Sequence, residues 1–169
     1  MGMLVIFLDI DGVLNNQTYF INNSDRIAKF YDSYSDLQYN NSFDLHVERI
    51  MMDIDEEKLS ILKKIVLDTD AKIVIISSWK ILYVFNEVVK RLCDKGIPII
   101  GRTYDESYNR GHGIYDYLMH HDVIDYVILD DEFFEDYDHV LLDKLIKTDF
   151  YGDGLTLKYA DLIRKKLKK

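Results

Sequence analysis

Four largely apolar runs, each followed by polar groups, dominate the hydrophobic pattern of this 169-residue chain. They lie at residues 4–8, 72–76, 97–100 and 126–129, and their apolar residues are consecutive, as in strands buried on both faces. Between them, apolar residues recur at helical spacing. A weaker fifth strand is predicted within residues 141–148. This alternation predicts an α/β fold with a three-layer, doubly wound parallel sheet.

The segment after the first strand differs from the rest of the chain. Residues 15–54 are rich in Asn, Ser, Asp and aromatic residues, and their apolar period is weak. A short helix is predicted over residues 25–31, with Ser24 as its N-cap. We interpret residues 15–54 as a small cap-like insertion in a single domain that spans residues 1–169. It is either a lid that shapes access to a site or a surface excursion that packs its aromatic rings on the core.

Composition and charge narrow the function classes. The chain has 21 Lys and Arg against 30 Asp and Glu, a net charge of −9, so no extended basic surface for long nucleic acid is expected. A short or terminal nucleotide stays compatible with this charge. The single cysteine, Cys93, excludes a disulfide framework. No run approaches the roughly 20 apolar residues of a membrane span, and the start does not resemble a signal peptide. We therefore expect a cytoplasmic protein with no membrane partner.

Carboxylates follow two of the predicted strands. Asp9 and Asp11 come directly after the first strand, and Asp130 and Asp131 follow the fourth. Because the carboxyl ends of parallel strands meet at one edge of a sheet, we expect these side chains to converge there. Clustered carboxylates favour a bound divalent cation, and oxygen ligands suit Mg²⁺. The expected ligands are the Asp9 carboxylate, the Asp11 carbonyl and Asp130, with Asp131 as a second ligand or a support. Asp9 is also the expected nucleophile.

A phosphate group at this edge needs a hydroxyl and a fixed cation as partners. The second strand ends in Ser77 and Ser78, and the direct continuation of the strand favours Ser77 as the hydroxyl. Arg110 is the candidate cation because it opens the helix before the fourth strand. Lys80 competes with it, one turn after Ser77, although a solvated lysine is the alternative explanation for that residue.

Taken together, the motifs resemble the haloacid dehalogenase (HAD) superfamily, whose core is Rossmann-like. The shared pattern is Asp-x-Asp-Gly after a first strand, an apolar strand ending in Ser, a basic residue and a late Asp-Asp. A finer similarity is to the small HAD phosphatase-type domain of "Swiss Army knife" RNA-repair proteins. It rests on Ser77-Ser78-Trp79-Lys80, Arg110-Gly111-x-Gly113-Ile114 and Tyr126-Val127-Ile128-Leu129-Asp130-Asp131. Where this chain has Lys80, the group usually has Arg.

The resemblance implies a Mg²⁺-dependent phosphomonoester hydrolase that forms an aspartyl-phosphate intermediate. Asp9 would attack phosphorus, and Asp11 would act as general acid and then as general base. An Asp at the second position is typical of the superfamily's phosphatases, whereas its transport ATPases carry Thr there. The implied substrate is a nucleotide, a phosphorylated nucleic-acid end or another phosphorylated small molecule. A phosphoprotein phosphatase and a non-catalytic phosphate-binding regulatory module are the alternatives.

Overall fold

The computed structural model describes residues 2–34, 42–104 and 109–167. The strands are β1 (Met3–Leu8), β2 (Lys72–Ile75), β3 (Ile99–Arg102), β4 (Val123–Asp130) and β5 (Leu145–Lys147). The helices are α1 (Gln17–Tyr34), α2 (Phe43–Met51), α3 (Glu56–Thr69), α4 (Phe85–Asp94), α5 (Arg110–His120), α6 (His139–Lys144) and α7 (Leu157–Lys166), with a 3₁₀ turn at Ser78–Ile81. Residues 35–41 of the predicted insertion lie outside the described residues.

The five strands form one sheet in the order β3-β2-β1-β4-β5, and every neighbouring pair is parallel. This confirms the predicted α/β class. β1 is central, so that Phe7 pairs with Val74 on one side and with Ile128 on the other. The third strand begins two residues later than predicted, because the Ile97 amide donates to the Leu92 carbonyl (3.1 Å) and completes the end of α4.

Two apolar clusters cover the two faces of the sheet. Ile6 and Leu8 of β1 point to one face, where they join buried residues of α3, α4 and α7. Val5 and Phe7 point to the other face, which α5 and α6 cover. Burial on both sides explains why the strands are continuous apolar runs. In the described part of the chain, no helix is both long and apolar enough to cross a membrane.

The helix predicted over residues 25–31 is wrong in its bounds, because α1 extends over Gln17–Tyr34. Asn16 lies at the start of α1, where its side-chain oxygen accepts a hydrogen bond from the Tyr19 amide (2.8 Å). The predicted cap, Ser24, lies inside the helix and donates to the Ile21 carbonyl (2.9 Å). Tertiary contact fixes this helix, since the Tyr19 hydroxyl lies 2.8 Å from the Met52 carbonyl oxygen. Weak apolar periodicity could not reveal that contact.

Candidate active site

A cavity of about 410 Å³ opens at the carboxyl ends of the central strands. It is lined by Asp9, Asp11, Phe20, Ser78, Arg110, Asp131, Glu132, Phe150 and Tyr151. The sheet fixes the backbone beneath it. The Asp9 amide donates to the Leu129 carbonyl (2.9 Å), so the chain is still tied to β4 just after β1 ends. Gly12 then turns the chain away from the sheet with a φ of +70°.

Asp9 is a buried carboxylate with two polar side-chain partners. One of its oxygens lies 3.4 Å from Nη1 of Arg110, and the Ser77 side chain forms a hydrogen bond with it. Burial raises the pKa of Asp9, while Arg110 and Ser77 act in the opposite direction because they favour the charged form. The carboxylate is therefore shielded from bulk water and faces a fixed positive charge, a setting that suits a nucleophile.

The end of β4 adds two more carboxylates. Asp130 is fully buried, and its Oδ2 lies 2.5 Å from Nη1 of Arg110. Burial, reinforced by the charge of Asp9, raises the pKa of Asp130 to about 7. Burial and Asp9 also raise the pKa of Asp131 to about 6. At both positions, burial and the charge of Asp9 therefore destabilise the ionised form of the carboxyl group.

These three acids fit a divalent cation. Asp9, Asp130 and Asp131 each offer a carboxylate oxygen, and the three oxygens lie within 4.8 Å of one another. An all-oxygen donor set of this kind suits Mg²⁺, which also keeps several water ligands. Gly12 permits the arrangement, because a Cβ atom at that position would lie 2.3 Å from Cγ of Asp131. The predicted Asp11 carbonyl ligand stays a prediction.

Asp11 is held by two side chains that the sequence analysis did not assign to the site. Trp79 Nε1 donates to its Oδ2 (3.0 Å), and Asn15 Nδ2 donates to its Oδ1 (2.9 Å). Asn15 is itself fixed by the Gly12 amide, which donates to Asn15 Oδ1 (3.0 Å). For Trp79, the sequence did contain a signal: it directly follows the serine pair at the end of a predicted strand. A buried indole N–H usually finds a hydrogen-bond partner, so a polar contact near the strand end could have been expected.

The candidate phosphate-binding residues occupy different places. Arg110 is the only cation among the described residues that line the cavity, and its guanidinium lies 4.1 Å from the centre of the Phe134 ring. Ser78 is exposed and lines the cavity, whereas Ser77 is buried beside Asp9. Lys80 Nζ donates to the Thr103 hydroxyl (3.1 Å) and to the Ile76 carbonyl (3.4 Å). Arg110 therefore lines the cavity, whereas Lys80 does not.

An aromatic rim, formed by Phe20, Phe150 and Tyr151, borders the cavity. The Phe20 and Phe150 ring centres are 6.1 Å apart, and Phe150 meets Tyr151 edge to face at 5.4 Å. Two hydrogen bonds join the start of α1 to the turn that contains Phe150 and Gly152. The Gln17 amide donates to the Phe150 carbonyl (2.9 Å), and Asn16 Nδ2 donates to the Gly152 carbonyl (2.6 Å). The first helix of the predicted insertion thus contributes directly to the cavity.

In a comparison with protein families, a family model matches residues 5–160 of the chain. The matching family is described as the HAD domain in Swiss Army Knife RNA repair proteins. The chain belongs to this HAD family. Neither the curated proteins nor the solved structures gave a significant match. Membership of a HAD family confirms the suspected relationship and indicates a phosphatase-type hydrolase, and the acid cluster of this HAD domain is compatible with the metal ion that such domains typically use.

Proposed function

We propose that this HAD domain is a Mg²⁺-dependent phosphomonoesterase that forms an aspartyl-phosphate on Asp9. The observation that carries the proposal is the position of Asp9, which is buried directly after β1, beside Arg110 and close to Asp130 and Asp131. Asp9, Asp130 and Asp131 would hold the Mg²⁺ ion. Bound there, the ion would neutralise charge on the phosphoryl group.

The side chains of the cavity can divide the reaction between them. Asp9 attacks phosphorus, so that a bond forms between its oxygen and phosphorus while the bond to the leaving oxygen breaks. Asp11 gives a proton to the leaving oxygen and afterwards takes one from the water that attacks the phospho-enzyme. Hydrolysis releases inorganic phosphate and restores Asp9. Arg110 and one serine hydroxyl at the end of β2, that of Ser77 or Ser78, bind the phosphoryl oxygens.

The proposed substrate is a nucleotide or the terminal phosphate of a nucleic acid. The aromatic rim supports this class, because bases of any sequence stack on aromatic side chains. The family's occurrence in RNA repair proteins supports it as well. The net charge of −9 favours a short or terminal ligand over a long duplex.

The test is release of phosphate from nitrophenyl phosphate, nucleoside monophosphates, RNA with a 3′- or 5′-terminal phosphate, and a phosphopeptide, each with Mg²⁺ and with EDTA. We expect hydrolysis with Mg²⁺ only, and nucleotide substrates ahead of the phosphopeptide. Asp9→Asn should abolish turnover. It should also abolish covalent labelling of the protein by a substrate that carries a radioactive phosphoryl group. Asp94→Asn, at an exposed position of α4, is the matched control. Undiminished turnover by Asp9→Asn would exclude the mechanism, and preference for the phosphopeptide would favour a phosphoprotein phosphatase.

A further inference from the structure

Both oxygens of the Asp11 carboxylate accept a hydrogen bond from a buried side chain in the turn that follows a central strand. Trp79 Nε1 approaches Oδ2 at 3.0 Å, and Asn15 Nδ2 approaches Oδ1 at 2.9 Å. Both donors are fixed by burial. Asn15 is fully buried, and Trp79 is 8% exposed within the main apolar cluster. Rotation of the carboxyl group would therefore break at least one of these hydrogen bonds. The buried N–H group of Trp79 or Asn15 would then lack an acceptor, which is costly.

Neither donor can exchange roles with Asp11. An indole N–H has no acceptor capacity, so Trp79 can only donate. The Asn15 amide has an acceptor oxygen, but the Gly12 N–H occupies it at 3.0 Å, which leaves the amide nitrogen towards Asp11. A proton carried by Asp11 therefore finds no acceptor in Trp79 or in the Asn15 amide nitrogen. It is directed to a third group, such as a leaving oxygen or a water molecule in the cavity.

We propose that Trp79 and Asn15 are positioning residues that orient the Asp11 carboxyl group for proton exchange with the substrate. This inference rests on the proposed function, in which Asp11 protonates the leaving oxygen. The two residues touch Asp11 and act through it. They join the turn after β1 to the 3₁₀ turn after β2, so the alignment depends on the packing of both strand ends.

The test uses two substrates with the same ring and leaving groups of different basicity, nitrophenyl phosphate and phenyl phosphate. Nitrophenolate departs without protonation, whereas the more basic phenolate needs the acid. The value of kcat/KM reports steps up to departure of the leaving group, so its ratio for the two substrates measures the acid step. Because an unfolded fraction lowers both values equally, the ratio is independent of how much enzyme is folded.

Trp79→Phe should lower kcat/KM for phenyl phosphate by about tenfold to hundredfold, the effect of one hydrogen bond to a charged group. The value for nitrophenyl phosphate should fall by less than about threefold, because that reaction does not need the acid. Asn15→Ala removes the donor to Asp11 without placing a second carboxylate beside it, and it should shift the ratio in the same direction.

Two further variants make the outcomes distinct. Asp11→Asn should shift the ratio most, since it removes the acid itself. Tyr115→Phe is the matched control, because it also deletes one hydrogen bond from an aromatic donor to a carboxylate, that of Asp138 (2.7 Å), and it should leave the ratio unchanged. If Asp11→Asn shifts the ratio and Trp79→Phe does not, the positioning role is overturned while the proposed function stands. An unchanged ratio in Asp11→Asn would instead overturn the proposed acid step.

Discussion

Arg110 is the residue whose removal most directly tests the electrostatics of the candidate site. Its guanidinium nitrogen lies 2.5 Å from an oxygen of Asp130 and 3.4 Å from one of Asp9, and all three side chains are largely buried. Arg110→Met keeps an unbranched apolar stem and removes the charge. Without the ion present, two carboxylates then face each other with no compensating cation, so the metal-free variant should be strongly destabilised.

The magnitude follows from measurements on buried ion pairs. Loss of one partner typically costs about 3–5 kcal/mol, because the charge left behind is buried and uncompensated. With a urea m-value of about 2 kcal/mol/M, this would lower the unfolding midpoint by roughly 1.5–2.5 M. Arg110→Lys keeps a positive charge and is the matched control. Arg110→Lys should lose clearly less unfolding free energy than Arg110→Met, although its ammonium group cannot reproduce the planar contact with the Phe134 ring.

The pH dependence has a definite sign. The pKa of Asp130 is already raised to about 7, and loss of Arg110 removes an interaction that lowers it. The folded variant therefore binds more protons than the unfolded chain between about pH 4 and the raised pKa, and its stability falls as pH rises through that interval. The loss relative to the native protein should be largest above about pH 7 and smaller in mild acid.

The assay is urea unfolding, followed by circular dichroism in EDTA at several pH values. Urea is preferred because guanidinium is charged and would screen the carboxylates. If Arg110→Met and Arg110→Lys unfold at the same midpoint above neutral pH, or if the loss in Arg110→Met does not shrink in acid, the electrostatic argument is refuted. Addition of Mg²⁺ should stabilise Arg110→Met by compensating the same carboxylates.

Three other predictions follow from the site. Gly12→Ala should cost about 1–3 kcal/mol in urea unfolding and weaken Mg²⁺ binding in calorimetry, because φ is +70° and the new Cβ would displace Asp131; native-like values would contradict this. Mg²⁺ affinity should fall as pH drops below about 7, since the raised pKa of Asp130 means that a proton must leave first. An affinity independent of pH would count against that ligand. Lys80→Met should change KM far less than Arg110→Met, because Arg110 lines the cavity and Lys80 does not. An equal effect would show that Lys80 contributes as much to substrate binding as Arg110.

The sheet and the convergence of the strand-end carboxylates were accessible from the sequence. Strands buried on both faces need apolar residues at every position, so they stand out without any alignment. The parallel topology then requires their carboxyl ends to share one edge. Asp9, Asp130 and Asp131 meet there as expected, although their assignment as metal ligands stays a prediction.

The first helix was not accessible in the same way. The sequence predicted a short helix at residues 25–31, whereas α1 begins at Gln17 and extends to Tyr34. Much of its surface faces solvent, so it needs no strong apolar period. Its start depends on bonds that Asn16 and Tyr19 make, two of them to residues distant in the chain. Phe20, in the first turn of this helix, lines the cavity.

The fold class and the acidic edge of the sheet could be derived from the amino-acid pattern, because both follow from local patterns and from the topology those patterns impose. How the acids are held depends on contacts between distant parts of the folded chain. Trp79 reaches Asp11 across 68 residues of chain, and Arg110 rather than Lys80 lies against Asp9. Such contacts depend on burial and on the direction of individual side chains, and these emerge only when the packed chain brings distant residues together.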